Sequence, residues 1–180
     1  MSKIRRINMC GGAGCGKSVL ANYIRAELAF RGYNIELVSE AIKDWTFIPR
    51  IPTDCDSFYL QATQIQWEDI RLRGGVDLIV SDSPLILQYF YAYYHKVPLQ
   101  DPMLQAALEY EEIYPSIHIM LQREDKFYDE LGRYETLEQA KNIDKMMLNT
   151  LKHYRLNYVE FSCLDKNSII NYLVDELGER

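Results

Sequence analysis

Short apolar runs alternate along the chain with stretches whose apolar residues recur every three or four positions. That alternation predicts strand–helix–strand units around a mostly parallel sheet. Five runs read as strands: Arg6–Cys10, Asn34–Ser39, Asp77–Ser81, Ser116–Gln122 and Asn157–Ser162. They are rich in Ile, Val, Leu or aromatic residues, as strands covered on both faces should be. Leu20, Ile24 and Leu28 mark a helix from Lys17 to about Phe30, with Gly32 where a cap belongs. A second helix runs from about Phe58 to Arg73, entered through Asp54 to Ser57 and closed by Gly74-Gly75, and another opens at Pro84. Thr136 and Gln139 form a capping box for a helix from Leu137 to about Tyr154, turning Ala140, Ile143, Met147 and Leu151 inward. Asp165 to Ser168 opens a last helix, and the segments around Pro49, Pro52, Pro98 and Pro102 read as surface connections. With no repeat or linker, the expectation is one α/β domain over residues 1–180.

The first strand runs into Gly11-Gly12-Ala13-Gly14-Cys15-Gly16-Lys17-Ser18, a G-x-x-x-x-G-K-S phosphate loop, and the first helix follows at once. Glycines let the backbone curl so that successive N–H groups face inward, and the helix aims the positive end of its dipole at the same point. ATP is the expected ligand. Lys17 would reach the β- and γ-phosphates and the Ser18 hydroxyl would ligate Mg²⁺. A thiol in such a nest is expected to be acidic, so Cys15 is expected to react readily with alkylators.

Two acids stand at strand ends. Asp82 closes Val76-Asp77-Leu78-Ile79-Val80-Ser81-Asp82, where a carboxylate emerges in the ligand crevice of a parallel sheet and can face Mg²⁺, provided that its strand neighbours the first. It also suits the cap of the helix opening at Pro84. Glu40 closes the second strand and fits either a general base that takes a hydroxyl proton or a solvated strand-end acid.

Composition narrows the class. With 180 residues, 48% of them hydrophobic, the chain fills one core but not two, which sets it apart from larger ATPases with appended domains. A net charge of −6 argues against a strong electrostatic grip on a nucleic-acid backbone. Cys10, Cys15, Cys55 and Cys163 form no C-x-x-C pair and no cluster with the three histidines, so neither zinc nor a disulfide framework is suggested and a reducing cytoplasm is the expected setting. No stretch is long and apolar enough to span a bilayer. A homodimer is left open.

Glu40-Ala41-Ile42-Lys43-Asp44-Trp45 resembles the deoxynucleoside kinases, whose Glu at this place serves as general base on the sugar hydroxyl. A wider resemblance covers most of the chain: the phosphate loop, Val38-Ser39-Glu40, Ser81-Asp82-Ser83-Pro84 and Lys126 to Thr136 are similar to the small phosphate-loop kinases of bacteriophages, related to nicotinamide-riboside, thymidylate and deoxynucleoside kinases. The resemblance implies a three-layer P-loop kinase fold with a five-stranded parallel sheet. It also implies a short basic lid over about residues 123–135, in which Arg123 and Arg133, with Lys126, meet charge on the transferred group. The Glu-Arg-Ser turn of deoxynucleoside kinases is replaced here by Ser81-Asp82-Ser83, so nucleoside specificity does not carry over.

The expected acceptor pocket lies between the end of the second strand, the helix beginning near Phe58 and the segment after Asp82. Gln61, Gln64 and Glu68 share one helix face, and a glutamine can address a base with both a donor and an acceptor, while Trp45 or a neighbouring ring stacks on it. Tyr89 to His95 supplies a second aromatic run, mostly packing. Arg50, Arg71 and Arg73 would hold a phosphate of a nucleotide or of DNA carrying a hydroxymethylpyrimidine. The acceptor is therefore expected to be a nucleoside, a nucleotide or a base in DNA. An ATP-dependent switch without an acceptor is the alternative.

Overall fold

The computed structural model describes residues 3–43, 45, 48, 50, 52–128 and 134–178. Five strands, β1 (Arg6–Cys10), β2 (Ile35–Val38), β3 (Leu78–Ser81), β4 (Ser116–Gln122) and β5 (Tyr158–Ser162), form one sheet in the order β2-β3-β1-β4-β5. Every pairing is parallel, with Ile7 opposite Val80 on one side and Ile117 on the other. The helices are α1 (Lys17–Phe30), α2 (Asp56–Arg73), α3 (Leu85–Tyr94), α4 (Gln100–Ile113), α5 (Leu137–His153) and α6 (Lys166–Leu177).

The two-residue period of the strands sorts the core into layers. Ile7 and Met9 of β1 and Ile117, Ile119 and Leu121 of β4 pack on Leu20, Ile24 and Leu28 of α1 and Ile169, Ile170 and Leu173 of α6. Cys10 and Met120 face the opposite layer, where Leu87 and Phe90 of α3, Tyr110 of α4 and Ile143, Met147 and Leu151 of α5 meet. The result is a three-layer α/β sandwich.

Strand positions agree with the sequence reading to within a residue at either end. The helix at 100–113 departs from it. Pro102 sits in the first turn of α4, where backbone N–H groups have no intrahelical acceptor, so a missing donor there costs nothing. The capping box of α5 is present, Thr136 accepting from the Gln139 N–H and Gln139 from the Thr136 N–H.

Candidate active site

Lys17 begins α1, and Gly16 before it holds φ at 88°, a left-handed turn that glycine adopts without strain. The ammonium folds back on its own loop, donating to the carbonyls of Gly11 (2.8 Å) and Gly12 (3.0 Å). Burial works to lower its pKa, but Cys15, Glu40, Asp82 and Asp144 outweigh burial and hold it above the ordinary lysine value, so it keeps its proton.

The loop is fastened from outside by α5 and by the residue that follows β4. Asp144 accepts from the Gly12 N–H (2.5 Å) and from Arg123 Nε (2.6 Å), while Arg123 Nη1 donates to the Ala13 carbonyl (3.0 Å). Arg123 Nη2 is buried with no hydrogen-bond partner. A Cβ on Gly12 would stand 2.6 Å from the Ala140 carbonyl oxygen, and one on Gly14 would stand 2.6 Å from the Tyr128 ring, so both glycines are needed for close approach.

Direct pairing of β3 with β1 meets the condition set for Asp82, whose strand end lies next to the loop. Asp82 is buried, its N–H donates to the Val38 carbonyl (3.0 Å), and its Oδ1 has no hydrogen-bond partner. An unpaired buried carboxylate oxygen whose charge acts on Lys17 suits a cation shared with phosphate oxygens, and Mg²⁺ keeps water and phosphate in most of its coordination sphere. No cluster of three acidic, histidine or cysteine groups that would hold a metal by itself occurs among the described residues. Glu40 is half-buried. Burial raises its carboxyl pKa, and the nearby negative charge of Asp82 adds to this against the pull of Lys17.

A cavity of about 600 Å³ runs from the loop, Ala13 to Val19, past Glu40 and Lys43. Its far wall is made by Gln88 and Tyr91 of α3, by His95 just after that helix and by Tyr134 and Glu135, and Ser57 and Leu60 of α2 close one side. Burial, with the charges of Glu135 and Glu40, pushes the Tyr91 hydroxyl well above the ordinary tyrosine pKa, leaving a phenol that can donate. Glu135 is 9% exposed and its Oε1 lies 3.4 Å from His95 Nε2.

The structure brings together Gly11, Gly12, Ala13, Gly14, Cys15, Gly16, Lys17, Ser18, Glu40, Asp82 and Arg123. Other residues singled out from sequence lie elsewhere. Gln61 and Gln64 are buried and do not line the cavity: the Gln61 amide donates to the Leu85 (3.1 Å) and Met103 (2.9 Å) carbonyls, and that of Gln64 to Ser81 Oγ (3.2 Å) and Glu68 (3.3 Å). Their shared face exists, but it tethers α2 to the sheet, α3 and α4. Arg71 stands near the C-terminal end of α2, donating to the Trp67 carbonyl (2.7 Å), and Arg73 pairs with Asp69. Both are at the end of an 18-residue helix away from Ser57 and Leu60. Trp45 does not line the cavity either; the Arg50 guanidinium lies 3.3 Å from its ring centroid.

Arg133, and with it positions 129–133 of the expected lid, lies outside the described residues. Lys126 is in a short 3₁₀ turn, Asp125–Phe127. Cys15 departs from expectation in its chemistry: it is 2% exposed, and burial raises its thiol pKa against the pull of Lys17. Desolvation of a thiolate outweighs the loop's dipoles here. Sequence reasoning missed Asp144, since one acid on an amphipathic helix carries no signal. It placed Tyr91 and His95 in an aromatic run without picking the two that line the cavity, which follow Gln88 at intervals of three and four residues on one face.

The sheet order, the loop between β1 and α1, and the acid after β3 define a nucleotide-binding P-loop domain of the kinase-like α/β type. The chain belongs to the AAA domain family, whose model matches residues 6–165. Among solved structures it is similar to the NadR protein in complex with NR, with a TM-score of 0.77 and 13% identity over 98% of this chain and 52% of that one. The chain thus spans about half the length of that protein. It is also similar to deoxyadenosine kinase from M. mycoides, with dCMP and dCDP bound (TM-score 0.60, 16% identity, 96% of this chain and 98% of that one). The same kinase with dATP bound gives 0.59, 18% identity and the same coverage. No curated protein matches in sequence.

Proposed function

We propose that the protein is an ATP-dependent phosphotransferase that moves the γ-phosphoryl group to a hydroxyl of a nucleobase-containing acceptor. The observation that carries this reading is the continuity of one cavity from the phosphate loop to Glu40, Tyr91 and Glu135, so that donor and acceptor share one enclosure. Both solved relatives named above carry nucleobase or riboside compounds in their described complexes.

The loop N–H groups and Lys17 bind the β- and γ-phosphates, and nucleotide displaces the ammonium from the Gly11 and Gly12 carbonyls that now hold it. Ser18 and Asp82 Oδ1 would hold Mg²⁺, which supplies neutralisation of the charge on the β- and γ-oxygens. Glu40 takes the proton of the acceptor hydroxyl as its oxygen bonds to the γ-phosphorus and the bond to the β–γ bridging oxygen breaks, releasing ADP. Arg123 contributes fixed positive charge at the loop, oriented by Asp144.

The test is transfer of label from γ-labelled ATP to a panel of nucleosides, nucleoside monophosphates, nicotinamide riboside, and plain and hydroxymethylated DNA. Transfer to a small acceptor supports the reading. Transfer to DNA alone, falling steeply with salt, would move the acceptor into a polymer. Slow ATP hydrolysis with no transfer would leave an ATP switch in place of a kinase.

A further inference from the structure

Resting on the acceptor reading just given, we infer that Tyr128 is a positioning residue: its ring holds the phosphate loop and its hydroxyl holds the acceptor wall, so that one side chain sets donor against acceptor. The loop is fastened residue by residue. Gly12 donates its N–H to Asp144, the Ala13 carbonyl accepts from Arg123, and at Gly14, where the chain turns through a φ of 74°, the neighbour is the Tyr128 ring. A Cβ on Gly14 would stand 2.6 Å from Tyr128 Cδ2 and 2.9 Å from Cε2, so the ring lies against the glycine itself. The N–H groups of this turn are those that must face phosphate, and a ring packed on the bare Cα leaves the turn little room to rotate away.

The other end of Tyr128 reaches the opposite side of the site. Its hydroxyl donates to the backbone carbonyl of Glu135. Tyr134 and Glu135 form part of the cavity wall, where Tyr134 donates to the Arg50 carbonyl (2.9 Å) and Glu135 Oε1 lies 3.4 Å from His95 Nε2. Tyr128 does not line the cavity, so it acts on the reactants through the residues it holds. Transfer needs the attacking oxygen, the phosphorus and the leaving oxygen in line, and a misplacement of about 1 Å costs about a hundredfold in rate. A rigid phenol that touches Gly14 with its ring and Glu135 with its oxygen fixes the span between the phosphate site and the wall. A tyrosine that served packing alone would need its ring but not its hydroxyl.

The experiment compares the full chain with Tyr128→Phe and Tyr128→Leu. Calorimetry reads the affinity for a non-hydrolysable ATP analogue with Mg²⁺, label transfer to the fastest acceptor of the panel above reads kcat and both KM values, and thermal melting reads folding. Tyr128→Phe keeps the ring on Gly14 and releases the Glu135 carbonyl, so analogue affinity should stay within twofold while kcat falls tenfold or more. Tyr128→Leu should in addition weaken analogue binding fivefold or more. A Tyr128→Phe protein with unchanged kcat and acceptor KM, whatever its melting temperature, reduces the hydroxyl to packing and overturns the coupling of loop and wall. A folded Tyr128→Leu protein that binds the analogue as tightly as the unaltered chain overturns the hold on the loop. If the unaltered protein transfers label to no acceptor, the acceptor reading falls and the wall half of this inference with it, while analogue binding still decides the loop half.

Discussion

Glu40, the proposed general base, is held in a state that costs the fold stability. Its folded pKa lies above the usual glutamate value because burial and the charge of Asp82 penalise the carboxylate. The folded state therefore gains from this group while it is protonated, below its unfolded pKa, and loses that gain as pH rises through the folded pKa. Glu40→Gln should accordingly melt at a higher temperature than the unaltered protein at pH 7 to 8, with the difference vanishing as the pH approaches 4. The same substitution should lower turnover by roughly a hundred- to ten-thousandfold while leaving ATP binding intact, as loss of a general base does. A melting temperature lowered at neutral pH would show Glu40 to be a structural acid. For Cys15 the expectation is inertness. Iodoacetamide should label the exposed Cys55 first and reach Cys15 and Cys10 only on unfolding. Peptide mass spectrometry reads the order, and labelling of Cys15 at the rate of Cys55 would contradict its burial.

At the scale of elements, the phosphate loop depends on α5, although 126 residues separate Ser18 from Asp144. Asp144→Ala removes the acceptor of both the Gly12 N–H and Arg123 Nε and leaves a largely buried guanidinium short of its ion pair. The expected cost is about 3 kcal/mol of stability in urea titration, together with weaker nucleotide binding. Unchanged nucleotide affinity in a folded variant would confine Asp144 to packing. Gly12→Ala should be worse than a surface alanine for a similar reason, since its Cβ meets the backbone carbonyl of Ala140 rather than a movable side-chain end. The glycine spacing and the strand before it made the loop legible from sequence, whereas its dependence on Asp144 was not, because a contact across the fold leaves no local pattern. The amide face of α2 shows the same limit. Residue spacing told that Gln61, Gln64 and Glu68 point one way, but which way was decided by Ser81, Leu85 and Met103 on other elements.

Across the whole molecule, the layer beneath α2 and α4 contains a continuous polar seam. Arg6, 1% exposed, bonds Glu68 (3.4 Å), Glu111 (2.5 Å) and the Tyr114 carbonyl (2.7 Å), with its guanidinium 4.7 Å from the Tyr110 ring centroid. Glu68 accepts from Ser81, and Glu111 from Ser116, which in turn accepts from Asn8, so the seam crosses β3, β1 and β4. Burial lowers the pKa of His118, which keeps the ring beside Ser116 neutral. Arg6→Met should cost about 3 to 5 kcal/mol, because it strands carboxylates in the interior, and pairing it with Glu68→Leu should return part of that loss. Denaturation curves for the single and double variants decide the matter: equal loss in both would mean that Glu68 is not the stranded charge. In a set of apolar runs Arg6 reads as a strand-end cation, and only the strand order, which parallel strands joined by long crossovers do not advertise locally, reveals it as interior.

That strand order also governs how the chain is born. Within this sheet β1 is made first, yet its partners β3 and β4 begin 72 and 110 residues after Arg6. During synthesis β1 has no neighbour on either edge until Leu78 has emerged, and one edge stays open until Ser116 follows. The oldest strand thus waits longest, with apolar Ile7 and Met9 on an unpaired edge, the situation in which chains fold slowly and associate with one another. Nascent chains halted between β3 and β4 should engage a holding chaperone far more than chains released beyond β4.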